Sequence, residues 1–226
     1  MQYQWDVSNR KTYNNRVGKY KFIRQFEFIM KNGKDRFDNI LDIAGGSGRF
    51  ALPLYEYSRN IKVVDIDQEA LSVLSVRNSH IETIQGDFIN VQLTDEFSFI
   101  LCIEALGYFE DLDMFFAKID VLMASEGRFV FMYNNPNSWR FLLRKIRHIR
   151  KGAHPYKEVS LNELKAIFLR YSFEIVEMKG MNWMPLPLSS NSRLVYLFEF
   201  LEKWLSLSKW YSQSPWLLIS IKKHEH

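Results

Sequence analysis

The sequence contains little of what stabilises small secreted domains or anchors a protein in a membrane. Only one of its 226 residues is a cysteine, Cys102, which cannot form an intramolecular disulfide. The longest stretch without a charged residue, residues 180–192, has 13 residues and includes two prolines. A membrane-spanning helix needs roughly 18 or more apolar residues. We therefore expect neither a disulfide framework nor a transmembrane helix.

Two further absences bear on cofactors and location. One cysteine, and five histidines without an i, i+4 pairing beside a carboxylate, do not provide the ligands of a metal site. The first ten residues lack the apolar core that a secretory signal needs. We therefore expect no metal, and we expect a reducing cytoplasmic location.

The net charge of +4 is small but unevenly distributed. Residues 127–157 contain eight Lys or Arg and no Asp or Glu, so the other residues together carry a net charge of −4. Within this segment, the stretch from Trp139 to Lys151 has apolar residues at helical spacing and cations at the other positions. Such a helix suits an anionic membrane surface or an anionic acceptor, and an ordinary amphipathic helix packed on the core explains the pattern equally well.

Short β-rich runs alternate with helical patterns along most of the chain. This alternation predicts an α/β fold with a mostly parallel sheet that helices cover on both faces. The predicted strands are residues 39–43, 61–65, 81–85, 97–103, 127–133, 173–178 and 215–221. The predicted helices are residues 16–30, 49–58, 68–77, 112–124, 161–170 and 194–207. The last of these is strongly apolar, and we expect it to line an apolar pocket or to complete the core.

A glycine-rich turn follows the first predicted strand and leads directly into a helix. From Asp42 to Ala51 it reads D-I-A-G-G-S-G-R-F-A. Its second part, from Gly46 to Ala51, fits the dinucleotide pattern G-x-G-x-x-G/A, and Asp65 at the end of the next strand is placed to bind a ribose diol. On this pattern alone, an NAD-dependent oxidoreductase, a non-catalytic nucleoside-binding protein and a simple tight turn all remain open.

The carboxylate of Asp42 distinguishes between these alternatives. Inside the turn it would repel a pyrophosphate and attract an ammonium or a sulfonium, so the ligand is expected to be cationic at this end. The stretch from Asp42 to Gly48 resembles motif I of the class I S-adenosylmethionine-dependent methyltransferases, D/E-x-G-x-G-x-G, with Ala44 in place of the first glycine.

The resemblance continues through the next strands. Residues 63–71 are similar to the family's second-strand signature, in which the acidic residue binds the ribose and the next apolar residue packs on the adenine. Residues 85–88 are similar to the end of its third strand, which places a carboxylate at the adenine amino group. Residues 97–109 resemble motif II, with Ser98 in place of the customary aspartate.

This resemblance implies a Rossmann-like fold, with a seven-stranded, mostly parallel sheet, helices on both faces and an antiparallel last strand. It implies an N-terminal helical lid in residues 1–38 and a methyltransferase domain in residues 39–226, with a basic helical insertion at about residues 134–160. The implied class is a methyltransferase of the small-molecule type, similar to methyltransferase type 11. It would use S-adenosylmethionine and release S-adenosylhomocysteine.

The same resemblance implies the site residues. The residues expected to bind the donor are Asp42, Ala44, Gly45, Gly46, Gly48, Asp65, Ile66, Asp87, Phe88, Ile103 and Glu104. Candidates for the acceptor side are Tyr13, Tyr108, Tyr133, Arg140 and His154, where Tyr13 begins a stretch similar to the family's lid element. Methyl transfer from a sulfonium needs alignment more than a base, so no catalytic residue is assigned.

The expected acceptor is a small molecule such as a lipid, quinone, sugar or other secondary metabolite, methylated at oxygen or carbon. Amino-methylating members of the family often carry N-P-P-Y after the fourth strand, where this chain reads E-A-L-G from Glu104 to Gly107. No separate basic domain with interleaved aromatic residues is recognisable, so no nucleic-acid partner is expected.

Overall fold

The computed structural model describes residues 13–58, 60–141 and 159–224. Within them, seven strands form one sheet. The strands are β1 (Ile40–Ile43), β2 (Ile61–Asp65), β3 (Glu82–Gln85), β4 (Phe97–Cys102), β5 (Met123–Asn134), β6 (Phe173–Met181) and β7 (Trp216–Lys223). Their order is β3-β2-β1-β4-β5-β7-β6, and β7 runs antiparallel to both of its neighbours, while the other pairs are parallel. The predicted Rossmann-like fold with an antiparallel last strand is confirmed.

The strand order reverses between β1 and β4. From β1 the chain moves outward to β2 and β3, and then returns to β4 on the other side of β1. In open α/β sheets, ligands bind outside the carboxyl ends of the strands at such a switch point. The ends of β1, β2 and β4 therefore define where a ligand site is expected.

Helices flank the sheet along its length. They are α1 (Arg16–Gly33), α2 (Ala51–Leu54), α3 (Gln68–Arg77), α4 (Leu112–Leu122), α5 (Leu161–Arg170) and α6 (Leu194–Trp204), with short 3-10 helices at Leu106–Tyr108 and Leu207–Lys209. Helices α3 and α5 have the predicted bounds, and Ser160 and Glu163 form a capping box at the start of α5. Helix α2 begins two residues later than predicted because the glycine turn continues through Phe50, and it ends at Leu54 because residues 55–57 form a turn.

Two apolar clusters lie on opposite faces of the sheet, because side chains alternate along each strand. In β4, Phe99 and Leu101 belong to one cluster and Ile100 and Cys102 to the other. The first cluster includes buried residues of α1, α2 and α3, and the second includes those of α4 and α5. Both faces are thus covered, as a parallel sheet requires.

Helix α6 does not complete either cluster. Val195 is its one buried residue, whereas Leu197, Phe200 and Trp204 are 51%, 61% and 70% exposed. Val195 and the partly buried Phe198 instead pack in a small third cluster with Val17, Tyr20 and Met184, so this apolar segment completes the core only in part. The inward side of the helix also carries two carboxylates. Glu199 pairs with Arg24, and Glu202 accepts the N–H of Trp183.

The basic segment is described only at its beginning. Beyond Phe141, the helix predicted from Trp139 to Lys151 lies outside the described residues, as does His154. Residues 1–12 of the predicted lid also lie outside them, and the lid and the insertion stay predictions. Within the described part of the chain, no helix combines the length and the apolar character needed to cross a membrane.

Asn135 connects the end of β5 to the turn that precedes β7. It is 4% exposed, and its Nδ2 donates to the carbonyl oxygens of Tyr211, Ser212 and Ser214 at 3.0–3.1 Å. Its Oδ1 accepts the N–H of Asn137 at 3.0 Å. One side chain therefore satisfies four backbone groups at the carboxyl edge of the sheet.

We predict that Asn135→Ala lowers the free energy of unfolding by about 1–3 kcal/mol, because buried carbonyl oxygens lose their donor. The neighbouring Asn134 is exposed, so Asn134→Ala should change it by less than about 0.5 kcal/mol. Urea denaturation followed by circular dichroism measures both variants. Equal losses in the two variants would contradict the role assigned to Asn135.

Candidate functional site

The glycine turn begins where β1 ends. The N–H of Ala44 donates to the carbonyl of Val64 at 2.7 Å, and Ala44 adopts a φ of +56°. Left-handed backbone costs a residue with a Cβ roughly 1–2 kcal/mol, which explains why the resembling motif has glycine at this position. Gly46 and Gly48 also have positive φ values, of +53° and +82°. The turn thus has left-handed backbone at three positions, and alanine is tolerated at the first of them.

Asp42 lies beneath this turn and is 2% exposed. A Cβ on Gly45 would come within 2.7 Å of its carboxyl group, so the turn packs directly on the acid. Burial, and secondarily the charge of Asp65, raise the pKa of Asp42 to about 7, against smaller opposing effects of the Ala51 N–H and Arg49. Its Oδ2 is buried and has no hydrogen-bond partner among the described residues.

Asp65 is the last residue of β2 and faces the turn. Its Oδ2 accepts the N–H of Gly46 at 2.8 Å, and its Oδ1 accepts the N–H of Asp67 at 2.9 Å. Burial raises its pKa, although these backbone hydrogen bonds act in the opposite direction. The next residue, Ile66, is 72% exposed and offers an open apolar surface at the edge of the turn.

The end of β3 lies beside Asp65, because the N–H of Gly86 donates to the carbonyl of Asp65 at 2.9 Å. Asp87 is exposed at this edge, and its Oδ1 accepts the N–H of Ile89 at 3.0 Å. Phe88 is 2% exposed and packs in the core, with its ring centroid 5.3 Å from that of Phe115. The structure therefore brings Asp42, Asp65 and Asp87 to one edge of the sheet, whereas the Phe88 ring lies behind that edge.

Glu104 follows β4 and is the centre of a polar cluster that joins three parts of the chain. It pairs with Lys21 of α1 and with Arg49 of the glycine turn, the latter at 2.9 Å. It also accepts hydrogen bonds from Gln25 at 2.7 Å and from the Tyr13 hydroxyl at 2.8 Å. The adjacent Ile103 is 9% exposed and belongs to the apolar cluster under α1.

The charges of this cluster do not balance. Lys21 and Arg49 surround the single carboxylate of Glu104, and their attraction outweighs its burial and lowers its pKa to about 2. Burial, the largest influence on Lys21, lowers the pKa of its amine. The Nε of Arg49 is buried and has no hydrogen-bond partner among the described residues. The cluster therefore offers an unused hydrogen-bond donor, the Arg49 Nε, and excess positive charge close to the glycine turn.

Sequence reasoning assigned Tyr13 and Glu104 but missed Lys21, Gln25 and Arg49. Arg49 directly follows the G-x-G pattern, and this position next to the expected ligand site could have marked it as a candidate site residue. Lys21 and Gln25 lie one helical turn apart on α1 and are 2% and 0% exposed. Their four-residue spacing is common on solvated helix faces and did not indicate burial.

The acceptor candidates are placed differently from one another. Tyr108 is 43% exposed after β4, and Tyr133 near the end of β5 is 2% exposed, with a hydroxyl that lacks a partner among the described residues. Burial raises the pKa of the Tyr133 hydroxyl. Arg140 donates to the carbonyl oxygens of Met184 and Leu186, so it holds the backbone of the segment after β6.

A further polar group at this edge had no sequence signal. Asn182 follows β6 directly, adopts a φ of +67° and is 1% exposed. Neither its Oδ1 nor its Nδ2 has a hydrogen-bond partner among the described residues, and the indole N–H of Trp183 is likewise unpartnered. Buried polar groups are normally hydrogen-bonded, so each of these requires an explanation.

The strand pairing places Tyr133 and Asn182 at the same edge. Tyr133 and Gly180 flank Leu217 of β7, and Asn134 and Met181 flank Trp216. The ends of β5 and β6 therefore lie at the same edge of the sheet, on either side of β7. Among the described residues, no group of His, Cys, Asp or Glu side chains has the number and arrangement to hold a metal ion.

The fold and the site together define a Rossmann-like α/β protein with a glycine turn packed on a buried aspartate at the switch point of its sheet. A family model described as "Methyltransferase domain" matches residues 13–178. The chain belongs to this family and is an S-adenosylmethionine-dependent methyltransferase. Family membership thereby favours the methyltransferase over the NAD-dependent oxidoreductase that the G-x-G pattern alone left open. No curated protein sequence matches the chain significantly.

Solved structures share the fold at low sequence identity. An S-adenosylmethionine-dependent methyltransferase from Clostridium acetobutylicum has a TM-score of 0.64 and 16% identity, with 98% of each chain covered. The N-methyltransferase NodS from Bradyrhizobium japonicum, in complex with S-adenosyl-L-homocysteine, has a TM-score of 0.64 and 15% identity, covering 94% of this chain and 90% of that one. Magnesium protoporphyrin IX methyltransferase from Synechocystis, with S-adenosylhomocysteine bound, has a TM-score of 0.66 and 12% identity, covering 92% and 84%.

We predict that Glu104→Gln lowers the free energy of unfolding by about 3–5 kcal/mol, because it leaves buried cations without a carboxylate. Adding Lys21→Met should recover part of the loss, since it removes one unpaired cation. Lys31→Met on the same helix is the matched control, because the exposed Lys31–Glu177 pair should contribute only about 0–1 kcal/mol. Urea denaturation measures the series, and additive losses for Glu104 and Lys21 would contradict the coupling.

We also predict a pH dependence of stability that belongs to Asp42. Its pKa in the folded protein, about 7, lies above the ordinary value of 3.8, so the folded state retains a proton that the unfolded state releases. Relative to Asp42→Asn, the wild-type free energy of unfolding should be highest below about pH 4 and should fall as the pH rises to about 7. Each pKa unit corresponds to about 1.4 kcal/mol.

Denaturation of wild type and Asp42→Asn between pH 4 and pH 8 tests this sign. Leu169→Ala, an uncharged change at an exposed position, serves as the control for general pH effects on folding. A difference between wild type and Asp42→Asn that is constant with pH would contradict the assignment.

Proposed function

We propose that the chain transfers the methyl group of S-adenosylmethionine to an oxygen or carbon atom of a small molecule bound at the carboxyl ends of β4, β5 and β6. The observation that carries this proposal is the pair Tyr133 and Asn182, whose deeply buried polar atoms lack partners among the described residues. An acceptor with hydroxyl or carbonyl groups would satisfy them. A site that hydrogen-bonds its substrate rejects analogues lacking those groups, so these residues would also provide specificity.

On the donor side, the proposed roles follow the charges around the glycine turn. The unpartnered Asp42 Oδ2 and the unpartnered Arg49 Nε are opposite in charge and flank the same turn. The methionine part of the donor carries an ammonium and a carboxylate, so it complements this arrangement, with Lys21 adding positive charge on the carboxylate side.

The nucleoside part of the donor is assigned to the ends of β2 and β3. Asp65 would bind the ribose hydroxyls, exposed Ile66 would pack on the adenine, and exposed Asp87 would accept from the adenine amino group. Gly45, Gly46 and Gly48 would allow the backbone to approach the donor closely. Because the Phe88 ring is buried behind this edge, its proposed role is to hold Asp87 in place.

When bound, the donor supplies a methyl group that its sulfonium charge already activates. The residues of this chain then need to align the acceptor in line with that methyl group and to exclude water. Glu104 is poorly suited to act as a general base, because two cations hold its pKa near 2 and four side chains bind its oxygens. Tyr108, half-exposed after β4, is the side chain proposed to line the acceptor.

The relatives support a small acceptor but differ in the atom they imply. Magnesium protoporphyrin IX is a small molecule, and NodS is named as an N-methyltransferase. In this chain the position after β4 reads E-A-L-G instead of the amino-methylating N-P-P-Y, which favours oxygen or carbon. The basic segment from Trp139 to Lys151 favours an anionic or lipid-like acceptor or a membrane contact, and a cytoplasmic location stays a prediction from the sequence.

Incubation of the protein with S-adenosylmethionine and fractionated metabolite extracts should produce S-adenosylhomocysteine over time, and mass spectrometry of the product should locate the methyl group. Asn182→Ala should raise the acceptor KM without changing donor affinity. A methyl group found on nitrogen would contradict the proposed atom. Unchanged acceptor kinetics in Asn182→Ala would contradict the proposed acceptor site.

For the donor, we predict that Asp65→Ala weakens S-adenosylhomocysteine binding by about tenfold or more, a loss of about 1.4 kcal/mol or more from the ribose contact. Titration calorimetry measures the affinity. Asp95→Ala is the matched control, because Asp95 is a surface carboxylate that pairs with Lys62 and precedes β4, at the opposite edge of the sheet. Equal affinity in the two variants would contradict the role of Asp65.

A further inference from the structure

Helix α6 turns its apolar side away from the protein. Leu194, Tyr196, Leu197, Phe200 and Trp204 are between 51% and 70% exposed, and they lie on one side of the helix at three- and four-residue spacing. We call these five residues the α6 face. Trp210, 58% exposed just beyond the helix, extends the exposed aromatic surface. Soluble proteins rarely leave a contiguous apolar surface of this kind without a binding function.

Specific polar contacts fix this orientation of the helix. Glu199 pairs with Arg24 of α1 at 2.6 Å, and Glu202 accepts the N–H of Trp183 at 2.6 Å and a hydrogen bond from the Tyr20 hydroxyl. The carboxylates of α6 thus face inward, where Arg24 pairs with Glu199 and hydrogen bonds hold Glu202. Rotation of the helix to bury its apolar side would break all of these contacts.

The charged side chains around the α6 face are cationic. Arg193 and Lys209 are exposed and have no carboxylate within ion-pair distance in the described part of the chain, and Lys203 lies 3.5 Å from Glu199. Directly beside Tyr196 is a cleft of about 410 Å³, whose lining also includes Arg16 and Lys19. The surface therefore combines exposed aromatic and aliphatic groups with flanking positive charge.

We propose that the α6 face docks the protein on a lipid surface that contains anionic lipids. Amphipathic helices that lie in a membrane interface bury aromatic and aliphatic side chains and place Lys and Arg at the headgroups. Trp and Tyr are the residues enriched at this depth, and anionic headgroups attract the cations around them. Arg16 and Lys19 in the adjoining cleft complement a headgroup phosphate.

Charge favours a lipid surface over a second copy of the chain. A symmetric dimer would bring the same patch of two molecules together and would place Lys19, Arg193 and Lys209 of each opposite like charges. Docking on lipid would also hold the proposed acceptor edge close to the membrane, because Glu202 binds the residue next to Asn182. The docking itself does not depend on which acceptor is methylated.

Cosedimentation of the full chain with phosphatidylcholine vesicles, with and without phosphatidylglycerol, tests the proposal. The protein should bind the anionic vesicles, and added salt should weaken that binding. Phe200→Ala combined with Trp204→Ala should reduce vesicle partitioning by about tenfold or more, and Lys19→Glu combined with Lys209→Glu should also reduce it clearly.

Matched controls use exposed side chains on other helices. Val121→Ala combined with Leu169→Ala removes apolar groups that are 75% and 81% exposed, and Lys165→Glu reverses one exposed charge on α5. These variants should bind vesicles as the wild type does. All variants should retain S-adenosylhomocysteine binding, which shows that they are folded and keeps this test separate from the proposed methyl transfer.

Three outcomes would overturn the proposal. One is wild-type protein that does not bind anionic vesicles. Another is binding that Phe200→Ala with Trp204→Ala leaves unchanged while Arg144→Glu with Arg147→Glu abolishes it, which would assign the contact to the basic segment. The third is a dimer in analytical ultracentrifugation that the α6 variants dissociate without any vesicle binding, which would assign the face to a second copy.

Discussion

The arrangement of this site depends on the ion pairs and hydrogen bonds of the partly buried carboxylate of Glu104. It binds Lys21 and Gln25 of α1, Arg49 of the glycine turn and Tyr13 before α1, so three distant parts of the chain meet at one side chain. A buried cation is costly unless it is paired, so the positions of Lys21 and Arg49 depend on the charge of Glu104. The same contacts hold α1 against the carboxyl edge of the sheet, where the methyltransferase family binds its donor.

Charges of opposite sign surround the glycine turn. Asp42 and Asp65 provide the acidic groups, and burial raises the pKa of both. Arg49 and Lys21 provide the cations, with one carboxylate between them. The zwitterionic donor proposed above would complement both sets of charges, whereas a dinucleotide pyrophosphate would be repelled by the carboxylates.

Much of the fold and part of the site could be predicted from local patterns. The seven strands, the capping box of α5 and the turn after β1 each depend on neighbouring residues, so their signals lie within short windows of sequence. A residue at the end of a predicted parallel strand, such as Asp42 or Asp65, is also predicted to lie at the carboxyl edge of the sheet. Lys21 and Asn182 carry no such signal, because a lysine on a helix and an asparagine after a strand are usually solvated.

The alternation of strands and helices predicted an α/β fold with a mostly parallel sheet, and the resemblance of residues 42–48 and of the following strand ends to a known family predicted the methyltransferase. The folded chain alone revealed which polar side chains are buried and which apolar ones are not. Glu104 is the centre of a polar cluster instead of a free acid, because it pairs with Lys21. Helix α6 exposes its apolar side, and its inward side pairs with Arg24 through Glu199. Both ion pairs join residues that lie far apart in sequence. Burial of a charge is decided by its partner, and a partner more than 80 residues away, as Lys21 is from Glu104, leaves no trace in local periodicity.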